Sequence, residues 1–198
     1  MGYYIRVLSK HAGDIPLDKL LEAARPAVLE NPEEAGNPWQ ALLLKHPAGG
    51  PIAVIERNLV VDGELAADEV QEFIEEVADC KPTTAAKWLQ DYLPGVKVIY
   101  AFQVLNGAYE SGGWDALHSV YSTIWKSTGG ILQADAEGFS NEDGLTVLWQ
   151  FSEEASGPWN VAVLDSQGKW KGFSIDLEKR EHREAFQQGC VPPGVATL

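Results

Sequence analysis

The chain has 198 residues and a formal net charge of −14, with 45% hydrophobic and 22% charged residues. This is the composition of an ordinary globular protein, and it argues against disorder and against a membrane protein. The negative charge repels nucleic-acid phosphate and anionic membranes, so it excludes direct nucleic-acid binding and favours a basic protein as partner.

Targeting and cofactor signals are missing from the sequence. The first ten residues lack the apolar run of a secretion signal, and no stretch approaches the roughly 18 apolar residues of a membrane helix. Cys80 and Cys190 have neither CxxC spacing nor a histidine at ligand spacing, which indicates reduced thiols rather than a zinc site or a disulfide framework. Glycine motifs for phosphate or dinucleotides are missing too. We therefore expect a cytoplasmic protein with no cofactor and no metal.

Residues 1–105 alternate between strand-like and helix-like patterns. Val96–Leu105 is apolar almost throughout and is expected at the centre of a sheet. Apolar residues from Val70 to Val77 recur with helical spacing, which predicts a helix over Leu65–Asp79. In chain order the predicted elements are a strand Tyr3–Leu8, a helix Leu17–Ala24, a short strand Ala27–Glu30, a hairpin of Trp39–Lys45 and Ile52–Arg57, the helix Leu65–Asp79, a second helix ending at Tyr92, and the strand Val96–Leu105.

When the short strand Ala27–Glu30 is left out, the order is strand, helix, two strands, two helices and strand. This order resembles the split βαβ arrangement called ferredoxin-like. The fold class predicted for the whole chain is α+β, with this ferredoxin-like half at 1–105. Such a fold hosts many unrelated functions, so it implies no activity.

The second half, 106–198, begins at a glycine-rich joint, Asn106–Gly113. It is predicted to contain one helix, a four-stranded antiparallel meander and a C-terminal helix, and to pack with the first half as one compact unit. The predicted elements are the helix Trp114–Lys126, the strands Ile131–Gly138, Leu145–Phe151, Trp159–Leu164 and Trp170–Leu177, and the helix Glu178–Gln188.

An acidic run from Asp62 to Asp79 contains eight carboxylates and no basic residue. Several of these acids lie four residues apart on the predicted helix, where like charges each cost roughly 0.2 to 0.5 kcal/mol of helix stability. Local stability therefore does not explain the run. Either it is a solvated face that aids solubility, or it is a docking surface for a basic partner. The candidate partner-binding residues are Asp68, Glu69, Glu72, Glu75, Glu76 and Asp79.

The predicted hairpin Ile131–Phe151 has a two-residue turn at Asp143-Gly144, which sets Gly138 opposite Trp149 and Ala136 opposite Phe151. Trp149 and Phe151 then face the core, and Gln150 points away. The reverse face is polar and carries Asp135 and Glu137.

Three interpretations of that polar face stay open. It is a plain exposed sheet surface, or a metal site, or an active or binding site. For a metal site, Asp135, Glu137, Asn141 and Asp143 would supply the hard oxygen ligands that Ca²⁺ or Mg²⁺ prefers, although the order of an EF-hand is missing. For an active site, two neighbouring carboxylates could serve as acid and base, since like charges at close range separate their pKa values.

The only other catalytic candidate is His118, which lies among aromatic residues on the predicted helix Trp114–Lys126 and is either a hydrogen-bonded structural residue or a base. No nucleophile motif accompanies it. The sequence thus favours a non-enzymatic acidic interaction protein, in its most concrete form an inhibitor or immunity-type protein that covers a basic enzyme. The alternative is a small enzyme that uses Asp135 and Glu137 with His118.

Overall fold

A computed structural model describes residues 2–30, 39–149, 152 and 154–198. The chain divides into two compact units: unit 1 comprises Met1–Ala67 and Val96–Asp135, and unit 2 comprises Asp68–Gly95 and Ala136–Leu198. The described residues form a mixed α and β protein with five α-helices and ten mostly antiparallel strands.

Unit 1 is built around strand β5, Val98–Val104, whose apolar side chains are buried on both faces. Its strands lie in the order β6-β1-β5-β4-β3-β2, with every neighbouring pair antiparallel. The elements are β1 (Tyr3–Ser9), α1 (Leu17–Ala23), β2 (Val28–Glu30), β3 (Ala41–Lys45), β4 (Pro51–Leu59), β5 (Val98–Val104), α4 (Gly113–Thr128) and β6 (Ile131–Ala134). The predicted central position of β5 is confirmed.

The core of unit 1 lies where α1 and α4 cover the sheet. Trp39 is fully buried, its ring lies 5.9 Å from that of Tyr100, and its indole Nε1 donates to the carbonyl of Ile15 at 3.2 Å. A buried indole with a satisfied N–H stabilises the core through apolar area without leaving a polar group unpaired.

Unit 2 contains four strands in the order β10-β9-β8-β7 and the helices around them. The elements are α2 (Leu65–Glu76, which begins in unit 1), a 3-10 turn at Val77–Asp79, α3 (Thr83–Tyr92), β7 (Gly138–Ser140), β8 (Thr146–Trp149), β9 (Pro158–Leu164), β10 (Trp170–Asp176) and α5 (Arg180–Gln187). Phe173 and Phe186 are the largest fully buried side chains of its β9, β10 and α5 core. The predicted helices over 65–79 and up to Tyr92 are confirmed.

The ferredoxin-like order is not confirmed. β5 lies between β1 and β4 and is antiparallel to both. The Val60 amide donates to the Lys97 carbonyl at 2.9 Å, so the chain leaves β4 and returns to β5 at neighbouring positions. β4 and β5 thus pair like the arms of a hairpin, and the helices α2 and α3 are carried on the connection between them.

The four-stranded antiparallel meander is not confirmed either. The predicted strand Ile131–Gly138 is divided at Ala136, because its φ angle of 61° is left-handed and interrupts an extended strand. In the described residues β6 pairs with β1, and β7 pairs with β8. In addition, β8 and β9 are parallel.

Gly138 pairs with Trp149 as predicted, but the register shifts by one residue between Phe139 and Ser140. The Asn141 amide donates to the Leu145 carbonyl at 2.9 Å, so the turn holds the three residues 142–144 and the predicted two-residue turn at Asp143-Gly144 is wrong. Trp149 is half-buried, with its ring 6.4 Å from that of Phe186. Phe151 and Gln150, the other residues of that prediction, lie outside the described residues. The longest helix in the described part of the chain, α4, has 16 residues, and none of these helices is long and apolar enough to cross a membrane.

We expect Trp149→Ala to lower the free energy of unfolding by about 2 to 4 kcal/mol, because it opens space beside the buried Phe186. Trp114→Ala is the matched control, since Trp114 is 39% exposed, and its loss should be smaller. Urea unfolding followed by circular dichroism measures both. Equal losses would contradict a packing role for Trp149.

Candidate functional site

Helix α2 has one apolar side, which holds it in place. Val70, Phe73 and Val77 are buried, and the ring of Phe73 lies edge-on at 5.7 Å from that of Phe139 in unit 2. The helical spacing of these residues predicted this side of α2 correctly. These apolar contacts fix which side of α2 faces the interior of unit 2.

The opposite side is what we name the acidic face of α2: Asp68, Glu69, Glu72, Glu75, Glu76 and Asp79. Five of these residues are exposed and Glu69 is half-buried. The Gln71 amide donates to Glu75 at 2.8 Å, one turn away. The carboxylates thus form a band of negative charge at the surface of unit 2.

The potential of this band acts on a neighbouring thiol. Burial raises the pKa of Cys80, and the nearby carboxylates of Glu76 and Asp79 raise it further. Both effects disfavour the thiolate, burial by removing water and the carboxylates by repulsion. Cys80 therefore reports the negative field at the C-terminal end of α2.

Asp135, one of the two candidate catalytic carboxylates, is engaged in a hydrogen-bonded ion pair. Its Oδ1 lies 2.6 Å from Arg6 Nη1, and its Oδ2 accepts from the Tyr4 amide at 2.9 Å. The same Arg6 nitrogen also donates to Gln133 Oε1 at 2.7 Å. The Arg6 side chain is only 14% exposed, so these contacts satisfy a largely buried charge at the β1–β6 edge.

Glu137 and His118 lie on different elements. Glu137 lies in the turn between β6 and β7, and its predicted cross-strand partner Gln150 is outside the described residues. His118 is exposed on α4, with Nε2 3.4 Å from Ser122 Oγ and its ring 5.0 Å from that of Tyr121. None of the contacts described for His118 joins it to Asp135.

The residues weighed as metal ligands do not gather into a centre. Across the ranges that the structure describes, no group of three or more histidine, cysteine, aspartate or glutamate residues is arranged to hold a metal ion. Asn141 instead caps its own turn: its Oδ1 accepts from the amides of Asp143 and Leu145 at 3.1 and 3.0 Å.

One cavity in unit 2 escaped sequence analysis. It measures about 170 Å³ and is lined by Trp88, Trp170, Asn141, Glu142 and Asp143. Trp88 lies on α3 and Trp170 begins β10, so nothing in their spacing brings them together. The available signals were the seven tryptophans of the chain and the Asn-Glu-Asp-Gly turn.

Comparison of the chain with protein-family models, with curated proteins and with solved structures gives no match. The functional argument therefore rests on the residues themselves.

We expect Asp135→Asn to lower the free energy of unfolding by about 1 to 3 kcal/mol, because it removes the anionic charge that lies 2.6 Å from the largely buried Arg6. The exposed Glu178→Gln is the control and should be nearly neutral. Thermal and urea unfolding provide the measurement. An Asp135→Asn protein as stable as the wild type would show that the ion pair does not hold this edge.

The raised pKa of Cys80 leads to a second expectation. At pH of about 8, iodoacetamide should alkylate Cys80 more slowly than the exposed Cys190, and the Glu76→Gln/Asp79→Asn variant should accelerate Cys80 alone. Mass spectrometry of quenched samples gives both rates. An unchanged Cys80 rate in the variant would mean that burial alone controls the thiol.

Proposed function

We propose that this protein is a non-enzymatic, acidic interaction protein that binds a basic protein through the acidic face of α2. Its concrete form is an inhibitor or immunity-type protein that covers a basic enzyme. Nucleic acid is not expected as a partner, because the charge of the chain opposes phosphate.

The observation that carries this proposal is the separation of the two sides of α2. The buried side, with Val70, Phe73 and Val77, is sufficient to dock the helix, whereas the outer side carries carboxylates that repel one another. Repulsion of this kind costs helix stability, and a partner of opposite charge would relieve it. Solubility explains a negative net charge, but it does not require the charge to be concentrated on one helix.

Electrostatic complementarity of this kind acts mainly on the rate of association. A band of one sign steers a partner of the other sign and suppresses wrong partners, and its effect falls as salt is added. The proposal therefore implies binding that is fast and sensitive to ionic strength.

The enzyme alternative, with Asp135 and Glu137 acting beside His118, has weaker support. Asp135 is held by Arg6 and by a backbone amide, so both of its carboxylate oxygens are already engaged within unit 1. His118 is exposed, and its described contacts are with Ser122 and Tyr121 of its own helix, not with Asp135.

The double substitution Glu72→Lys/Glu76→Lys tests the proposal on stability first. The fold should be intact and the melting temperature should rise by about 1 to 2 °C, because contacts with Asp68 and Asp79 become attractive and a basic side chain in the last turn complements the helix dipole. Melts at low and moderate salt measure this. A variant that melts clearly lower in both would show that these carboxylates make specific native contacts.

The same variant tests binding, with fluorescein-labelled octalysine as the probe. The affinity should fall about fivefold or more relative to the wild type, and the salt dependence should weaken. Glu22→Lys/Glu56→Lys, two exposed acids of unit 1, is the control with the same change in net charge. If both variants lose affinity equally, net charge alone attracts the probe and the acidic face of α2 is not a binding surface.

A further inference from the structure

The cavity lined by Trp88, Trp170 and the turn residues 141–143 has the construction of a small-molecule site. All of its lining residues belong to unit 2, and its volume is about 170 Å³. A water molecule occupies roughly 30 Å³ of liquid, so the space admits a compact organic group. We name it the Trp88–Trp170 cavity.

Two indole rings form its walls. The centroids of Trp88 and Trp170 are 5.1 Å apart, with an interplanar angle of 80°. Trp88 is also stacked on Tyr92, at 5.1 Å and 28°, which fixes the orientation of its ring. Both indoles are only half-buried, so they leave aromatic surface available to a ligand.

Asn141 adds a hydrogen-bond donor that has no partner. The side chain is 1% exposed, and among the described residues none accepts a hydrogen bond from its Nδ2. Two backbone amides donate to Oδ1, and these bonds fix the orientation of the side-chain amide. In the flipped orientation Nδ2, itself a donor, would face the same two N–H groups. Because Oδ1 faces the turn, Nδ2 is the donor that remains for a ligand acceptor, and leaving a buried donor unpaired is costly. Nδ2 has almost no accessible surface, so a ligand acceptor reaches it only when the side chains that cover it move aside.

The charge at the cavity is negative. Glu142 and Asp143 line it and are exposed. The field extends inward, because burial and then the Glu142 carboxylate raise the pKa of Tyr92, next to Trp88, to about 12. Such a field favours a cation and opposes a carboxylate or phosphate.

We propose that the Trp88–Trp170 cavity binds a quaternary ammonium group whose neighbouring atoms include a neutral hydrogen-bond acceptor. Indole faces attract such a cation through the ring quadrupole. A methylated ammonium has no N–H to satisfy, so aromatic walls suit it better than they suit a primary amine. The acceptor, a hydroxyl or carbonyl oxygen, receives the Asn141 Nδ2 donor. The chemistry is that of choline or of a trimethylated lysine in a peptide.

The inference does not rest on the acidic face of α2, since it concerns different residues. The Glu72→Lys/Glu76→Lys variant should therefore keep its affinity for choline. Loss of octalysine binding with choline binding retained would identify two separate sites.

The direct test uses the wild-type protein with choline, tetramethylammonium and 3,3-dimethylbutan-1-ol, the neutral isostere of choline. Calorimetry and tryptophan fluorescence should give a dissociation constant of about 1 mM or tighter for choline, weaker binding of tetramethylammonium, and at least tenfold weaker binding of the isostere. No choline binding at about 10 mM, ten times that constant, or equal binding of the isostere, would overturn the proposal.

Variants then assign the walls and the rim. Trp170→Phe should weaken choline binding about fivefold or more, since indole is the strongest aromatic partner of a cation. The control is Trp114→Phe, a half-exposed tryptophan of unit 1 that should have no effect. Glu142→Gln/Asp143→Asn changes only exposed turn residues and should weaken binding about threefold or more by removing the negative field. Unchanged affinity in both cavity variants would refute the site.

Asn141→Asp tests the donor. It keeps an oxygen for the turn amides and removes Nδ2, while its charge acts alike on both cations. The ratio of the choline affinity to the tetramethylammonium affinity is therefore independent of the added charge. If the Asn141 donor binds the hydroxyl of choline, this ratio should fall to about one in the variant. A ratio equal to that of the wild type would refute the role of Asn141.

The source of the ammonium group is distinguished by a further pair of ligands. A short neutral peptide with one trimethyllysine, compared with its unmodified lysine form, should bind more tightly than choline if the natural ligand is a protein side chain. The reverse ranking identifies a free small molecule. Equal affinity for the methylated and unmethylated peptides would contradict recognition of a quaternary ammonium.

Discussion

The pairing of β5 with both β1 and β4 is the constraint on which the described structure of unit 1 depends. β5 is apolar on both faces, so it is stable only inside a sheet with neighbours on each side. The hydrogen bond from Val60 to Lys97 closes this arrangement at the point where the chain departs and returns. The segment between those residues, which carries α2 and α3, is therefore an insertion between two paired strands.

Its place on this insertion explains how α2 can carry an unfavourable charge pattern. The apolar side of the helix packs through Phe73 and its buried neighbours. Burial of a large aromatic side chain stabilises by roughly 1.5 to 3 kcal/mol, more than one repulsive pair of carboxylates costs. The outer face can therefore be selected for interaction instead of for helix stability.

Two carboxylate sets of similar appearance in sequence have different physical roles. Asp135 has a structural role, since it forms an ion pair with the largely buried Arg6 where β1 pairs with β6. Glu142 and Asp143 are exposed beside two indoles and a buried amide nitrogen without a described partner. The neighbours of the two sets differ. Arg6, from the same unit, neutralises Asp135, whereas Glu142 and Asp143 make the potential at the cavity negative.

Sequence patterns determined most elements, the buried side of α2 and the central position of β5, because each depends on side-chain periodicity. The Gly138–Trp149 pair was also predicted, but the turn that joins its strands is one residue longer than predicted, and a register shift compensates for it. Sequence patterns did not determine that β5 inserts between β1 and β4, or that a left-handed residue at Ala136 divides one predicted strand into two. Strand order depends on contacts between distant segments, which leave no local period. The ion pair of Arg6 with Asp135 and the meeting of Trp88 with Trp170 span 129 and 82 positions, and only the tertiary structure brings such residues together.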